Sequence, residues 1–266
     1  MKYQGLSAKR RKLLSVLLSA EKGVITTDWA AHTLQWEREK ARAFLSSLQR
    51  SGWLKLIKPG VYVPVPLASE DSDLTSENTL VLASYLFGEG YIGGWSAASF
   101  WGLTDQLFLK TWFLTSQFVR KKEAEYAGHT YLLRHVAPPY LFGLHSEWIG
   151  QDKVFISDPH KTVVDFANFI DEYGLQGFVD VFSAYLHSEQ KNLQILLDYA
   201  HKANNKALFK RLGFMLERLS PQEEEAIALC LKAASPGPTK LAPALPCDVY
   251  VKKWRLSVPS HMASLQ

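Results

Sequence analysis

Cysteine is scarce: only Cys230 and Cys247 occur in 266 residues. Neither has a Cys or His partner at metal-ligand spacing, which excludes a disulfide framework and a zinc finger and suits a reducing cytoplasm. The eight histidines are scattered without the spacing of a metal site. No apolar run approaches the roughly 18–20 residues that a membrane span needs. No P-loop, Gly-x-Gly-x-x-Gly or His-Glu-x-x-His sequence is present, and the lone glycine cluster Gly90-Tyr91-Ile92-Gly93-Gly94 reads as a turn. Catalytic residues, metal and cofactor are all therefore expected to be absent.

A nuclease of restriction type would need an acid two residues before Lys153, to bind a metal and activate water. Gln151 stands there, though Asp152 and Asp158 could still approach a metal. Asp158 reads better as a helix cap. Asp165, a single acid in an apolar helix, reads as the partner of a buried arginine.

What the sequence does have is segregated charge. Residues 1–68 hold twelve Lys/Arg and four acids, net +8, while the remainder holds eighteen bases and twenty-two acids, net −4. A basic module that touches a polyanion, joined to a mildly acidic one, is the direct implication. The hydrophobic fraction of 47% supports a substantial core. The basic run Lys9-Arg10-Arg11-Lys12 precedes only about eight apolar residues before Glu21-Lys22. That is too short and too soon interrupted for a secretory leader, so a first helix is expected instead.

Residues 6–20 predict an amphipathic helix capped by Ser7, with Gly23 after its end. Thr26 or Thr27 caps a short second helix with Asp28 in its first turn. After a turn at residues 34–36, residues 37–50 form a third helix. Its Ala41, Phe44, Leu45 and Leu48 recur at i, i+3, i+4 and i+7 and make one buried stripe. Ser51-Gly52 closes it. Residues 53–57 and 61–63 are two strands around Lys58-Pro59-Gly60, a hairpin. Three helices and a basic hairpin are the order of a winged helix–turn–helix; a generic helical subdomain with a solvated charged face is the alternative.

In a helix–turn–helix the second helix of the pair enters the major groove. With the apolar stripe inward, Trp36, Glu39, Ala43, Ser46 and Arg50 lie on the opposite face, flanked by Gln35, Arg38, Lys40 and Arg42. Gln, Lys and Arg suit base edges and phosphates, Ala43 admits a thymine methyl, and Glu39 accepts from a cytosine amino group. Thr26 and Thr27 sit at a helix N-terminus that favours phosphate. Lys55 and Lys58 flank the hairpin turn and would ride on the DNA backbone.

The fold class expected is α+β: residues 1–68 as the winged helix–turn–helix, then residues 69–266 as a larger mixed domain with a helical end. Residues 68–73 form the linker between them, and the second part has a core at residues 74–234 and a loop-rich tail at residues 235–266. Helices are expected at residues 75–87, 161–170, 177–187, 192–203, 206–219 and 220–232, and strands at 111–115, 130–135 and 153–156.

Three local patterns carry a family resemblance. The first is Tyr91-Ile92-Gly93-Gly94-Trp95-Ser96-Ala97-Ala98, continuing to Trp101-Gly102-Leu103-Thr104-Asp105-Gln106. The second runs from Val154 through Ser157-Asp158-Pro159-His160-Lys161-Thr162 to Asp165, with His160 where an acid is common. The third is Arg211-Leu212-Gly213-Phe214-Met215-Leu216-Glu217. In this order the chain resembles the AbiEi family of type IV antitoxins, which double as transcriptional regulators; residues after Pro221 have no match.

The resemblance implies a cytoplasmic antitoxin without catalysis of its own. Its N-terminal domain would bind inverted repeats of double-stranded DNA in its own promoter and repress the operon. Its C-terminal domain would neutralise a cognate toxin of nucleotidyltransferase fold, which need not involve a stable complex. No membrane partner is implied. The alternatives are a DNA-binding regulator whose second domain senses a ligand or mediates oligomerisation, and a DNA-targeted nuclease.

Overall fold

The computed structural model describes residues 5–19, 23–65 and 76–263. The expected linker at residues 68–73 and the boundary at 68/69 lie outside the described residues. The fold is α+β.

The basic block runs α1 (Ala8–Leu18), β1 (Ile25–Thr26), α2 (Thr27–Leu34), α3 (Arg38–Arg50), β2 (Leu54–Lys58) and β3 (Val61–Pro64). The starts of α1 and α2 have local causes. The Ser7 hydroxyl accepts from Arg10 N and the Thr26 hydroxyl from Trp29 N, satisfying amides that a helix leaves unpaired. Gln35 closes α2 in the left-handed region at φ 54°, a conformation uncommon for a residue other than glycine, asparagine or aspartate. Gly52, at φ +82°, turns the chain after α3. The three strands pair antiparallel in the order β1-β3-β2.

Leu14 and Leu17 of α1, Ala30 of α2, and Ala41, Leu45 and Leu48 of α3 close on Ile25, Leu54 and Tyr62 in one core. Each fully buried leucine there contributes about 1.5–3 kcal/mol. The stripe read from the sequence is therefore the face that anchors α3, which leaves Arg42 and Ala43 exposed.

Next come α4 (Ser76–Phe87), β4 (Gly90–Ile92), α5 (Gly94–Phe100), β5 (Lys110–Thr115), β6 (Glu123–Tyr126), β7 (His129–His135), β8 (Leu144–Ile149) and β9 (Asp152–Ser157). These strands form one sheet in the order β6-β7-β5-β4-β9-β8, with β5 and β7 parallel. The sequence does not announce β6 or β8. Both are edge strands, Glu-Ala-Glu-Tyr and Leu-His-Ser-Glu-Trp-Ile. Polar and charged residues are what an edge needs to avoid further pairing, and they erase the hydrophobic signal.

The rest of the chain is α6 (Pro159–Asn168), α7 (Ile170–Tyr173), α8 (Leu175–His187), α9 (Leu193–Lys202), α10 (Ala207–Leu219), α11 (Glu224–Ala233), β10 (Thr239–Lys240), β11 (Val249–Val251), β12 (Leu256–Val258) and α12 (Ser260–Ala263). Asp158 caps α6 by accepting from Lys161 N at 2.8 Å, with Pro159 in the first turn, as its sequence implies.

The described part of the expected loop-rich tail, residues 235–263, is mostly turns, bends and other irregular backbone, but it also holds three short strands. The strands β10, β12 and β11 make a small sheet, and Trp254 is only 1% exposed. Trp254 lies against Gly213 of α10, where an added Cβ would come within 2.2 Å of the indole. Its indole N–H donates to Glu217 at 2.6 Å. The buried Lys210 amine donates to the Gly237 carbonyl and to Thr239 Oγ1. Strands of two or three residues are too short to show alternation, so the proline-rich composition dominated the reading.

The chain forms two compact units. One takes residues 1–92, 109–136 and 146–155, and the other residues 93–108, 137–145 and 156–266.

Candidate nucleic-acid interface

Helix α3 and the β2–β3 hairpin border a cleft of about 450 Å³, lined by Thr27, Arg38, Arg42, Ser46, Leu56, Pro59, Gly60 and Tyr62. The Thr27 amide donates to the Gly60 carbonyl at 2.9 Å, which ties the hairpin turn to the start of α2. Thr27 is 3% exposed, and its Oγ1 has no hydrogen-bond partner among the described residues. A buried hydroxyl left in that condition costs about 1–3 kcal/mol and is relieved by any polar ligand that reaches it. The hydroxyl of Thr26, by contrast, is spent on its helix cap.

On α3, Arg42 and Glu39 approach at 3.9 Å with both side chains well exposed, and Arg38 Nε contacts Asp28 Oδ1 at 2.6 Å. Exposed pairs of this kind are worth about 0–1 kcal/mol. Either guanidinium can therefore exchange its carboxylate for a phosphate or a guanine edge at small cost. Ala43 and Arg50 are exposed along the same helix and Ser46 is half-buried in the cleft.

Trp36 departs from its expected exposed placement. It packs on the core, its ring edge-on to Phe44 with centroids 5.5 Å apart. Trp36 precedes the first residue of α3, so the helical periodicity that assigned it a face does not extend to it. Lys40 lies over that ring at 4.4 Å, a cation–π contact that partly orients its amine. Gln35 is exposed beside it, and Lys55 is half-buried on β2.

Lys58 also departs. A bulge between Leu56 and Lys58 shifts the β2–β3 register, and a bulge re-aims the side chain that follows it. The Lys58 amine donates to the carbonyls of Tyr85 at 2.7 Å and Leu86 at 3.1 Å. It thus caps the last turn of α4, where carbonyls lack helical partners. Burial lowers its pKa. In the expected N-terminal run, Arg10 donates to Ser47 of α3 at 2.7 Å, whereas Lys9, Arg11 and Lys12 are exposed. Sequence reasoning did not place Leu56, Pro59 and Gly60 at the cleft; the Pro-Gly turn was the available signal.

A second cluster belongs to α6. Lys161 and Asp165 pair one turn apart with both side chains inaccessible. The cation partner of Asp165 is thus a lysine, where the sequence reading looked for arginine; Arg211 instead donates to the Ala167 carbonyl at 2.6 Å. The Lys161 amine lies 3.6 Å from the Tyr140 ring centroid and 4.8 Å from that of Phe142. Tyr140 donates to Asp165 at 2.8 Å and accepts from Asn168 at 3.0 Å. Burial pushes Lys161 down to about 8 against the opposing field of Asp165, and pushes Tyr140 well up.

Asp158 accepts from Tyr199 at 2.9 Å and His160 shares a 2.8 Å hydrogen bond with Tyr185. Asp152, in the other unit, accepts from Tyr85 at 2.7 Å. Among the described residues no three His, Cys, Asp or Glu side chains gather as metal ligands, and no helix is long and apolar enough to cross a membrane. The motif at residues 157–165 is consequently an internal lattice of caps, a buried pair and aromatic contacts.

No family model matches the chain, and no curated protein matches it. Among solved structures it is similar to the crystal structure of the RV2827C protein from Mycobacterium tuberculosis. The two share 14% identity and a TM-score of 0.64, over 95% of this chain and 92% of that one. The likeness is one of fold.

Proposed function

We propose that the protein is a DNA-binding transcriptional repressor and that residues 5–65 act as a winged helix–turn–helix. The order helix, strand, helix, helix, strand, strand supports that reading, as does the +8 charge of residues 1–68. The observation that carries it is the cleft between α3 and the hairpin, which holds Arg38 and Arg42 beside the unpartnered Thr27 hydroxyl. In this reading α3 enters the major groove, with Arg42, Ala43 and Ser46 toward base edges. Thr27 and Arg38 meet phosphate, and Arg50 and Lys55 ride on the backbone.

The test is binding of the full chain to its own upstream DNA, by fluorescence anisotropy across a salt series, against random duplex. Tight, sequence-selective binding that weakens with salt supports the repressor. Equal weak binding to both duplexes rejects it.

The remaining part of the chain is proposed to act without catalysis as the antitoxin of a type IV system in the cytoplasm. It would neutralise a nucleotidyltransferase-fold toxin with or without a stable complex. Support comes from the three sequence patterns in order, not from a pocket with reactive groups. Co-expression with a toxin gene from the same operon tests this: growth must be restored, and restored by the chain with Arg42 replaced as well, if neutralisation is separate from repression.

A further inference from the structure

A second cavity, of about 700 Å³, opens between the end of α4 and the β5–β6 connection. Its volume falls in the range of small-molecule sites. Three cations line it, Lys58, Arg120 and Lys121, and no carboxylate does. Arg120 and Lys121 are exposed and form no ion pair among the described residues. Phe87, Phe118 and Tyr126 supply aromatic wall, and Phe118 is 88% exposed. Aromatic faces beside uncompensated cations match a ligand that is itself part ring and part anion.

Lys58, which follows the bulge in β2, lines the cavity. Lys58 spends two of its three donors on the Tyr85 and Leu86 carbonyls, neither of which neutralises its charge. Among the described residues no carboxylate pairs with this amine, and an anion in the cavity would supply a counter-charge in a partly desolvated place, where such a contact is stronger than in water.

We propose that this cavity is a binding site for a small aromatic anion, a planar ring bearing one carboxylate or sulfonate group. The ring lies against Phe87, Phe118 and Tyr126, and the acid group meets Lys58, Arg120 and Lys121. Lys58 directly precedes Pro59 and Gly60, which line the α3 cleft. Occupancy therefore alters duplex affinity, a consequence that rests on the repressor reading, whereas ligand binding does not.

The full chain is titrated with 8-anilinonaphthalene-1-sulfonate and the fluorescence followed, with salicylate and benzyl alcohol as competitors. Expected is saturable one-to-one binding that salicylate displaces and the neutral alcohol does not. Arg120→Ala/Lys121→Ala, at exposed positions, should weaken it at least tenfold with an unchanged melting temperature. Lys58→Met should also weaken binding, with a lowered melting temperature because the Tyr85 and Leu86 carbonyls lose their cap. Binding unaffected by the double variant, or displaced equally by the alcohol, overturns the proposal.

If a random duplex displaces the dye and the double variant loses duplex affinity instead, these cations belong to a nucleic-acid track. The small-anion assignment then fails. With the site established by dye binding, anisotropy with and without salicylate reads the coupling: a shift in duplex affinity supports it, and no shift removes it while leaving the ligand site in place.

Discussion

Lys161 and Asp165 face each other across one turn of α6, with neither side chain reaching solvent. Their mutual attraction is offset by the cost of removing two charges from water, so the pair adds little net stability, yet losing one partner strands the other. Lys161→Met should therefore destabilise the chain by about 3–5 kcal/mol. Lys161→Met/Asp165→Leu should recover most of that loss. Urea unfolding at neutral pH measures both; a double variant as unstable as the single would show that the charges themselves hold this core.

His160 provides a pH signature in the same motif. Burial holds its imidazole below the usual range, against the raising field of Asp158. The folded state thus takes up a proton less readily than the unfolded state. The stability from neutral His160 is complete above the ordinary histidine value and is lost as the pH falls through the lowered one. The urea midpoint should fall between pH 7.5 and 5.5, and fall less in His160→Gln. Equal losses in both chains would remove His160 as a contributor.

Arg42→Ala should weaken binding to upstream DNA by about 1–3 kcal/mol if the guanidinium reads a base. Its exposure predicts no change in melting temperature. A contact to phosphate alone would instead weaken all duplexes alike and reduce the salt slope by about one. Anisotropy on specific and random duplexes separates these outcomes, and unchanged affinity on both would take Arg42 out of the interface.

Gly213→Ala should cost about 1–3 kcal/mol, because its methyl group would enter the space of the Trp254 indole. Combined with Trp254→Leu, the cost should be less than the sum of the two singles, since the smaller side chain makes room. Thermal unfolding of the four chains measures the coupling. Strict additivity would mean that Trp254 does not pack on Gly213 as described.

The legible parts of the sequence were those with local causes. Ser7, Thr26 and Asp158 mark their helix starts by capping chemistry, and Ala41, Phe44, Leu45 and Leu48 fix the buried side of α3. The charged residues of the candidate interface followed from that stripe. Its hairpin wall did not, because the bulge that turns Lys58 onto α4 leaves no trace in composition. Trp36 was misplaced by extending a helical wheel past the helix. Trp254 sits in the turn between β11 and β12, and its burial was not legible because the residue it packs on, Gly213, lies forty-one residues earlier.

Each compact unit draws on three separated stretches of chain. On the ribosome, the basic block emerges first, but its unit is complete only when residue 155 has appeared. Strand β4 sits between β5 and β9, so one of its edges waits for residues synthesised about sixty positions later. At about 5–20 residues per second, that interval is roughly 3–12 seconds. An open strand edge lasting so long is an invitation to chaperones, and a nascent chain stalled before β9 would be the form of this protein most prone to aggregate.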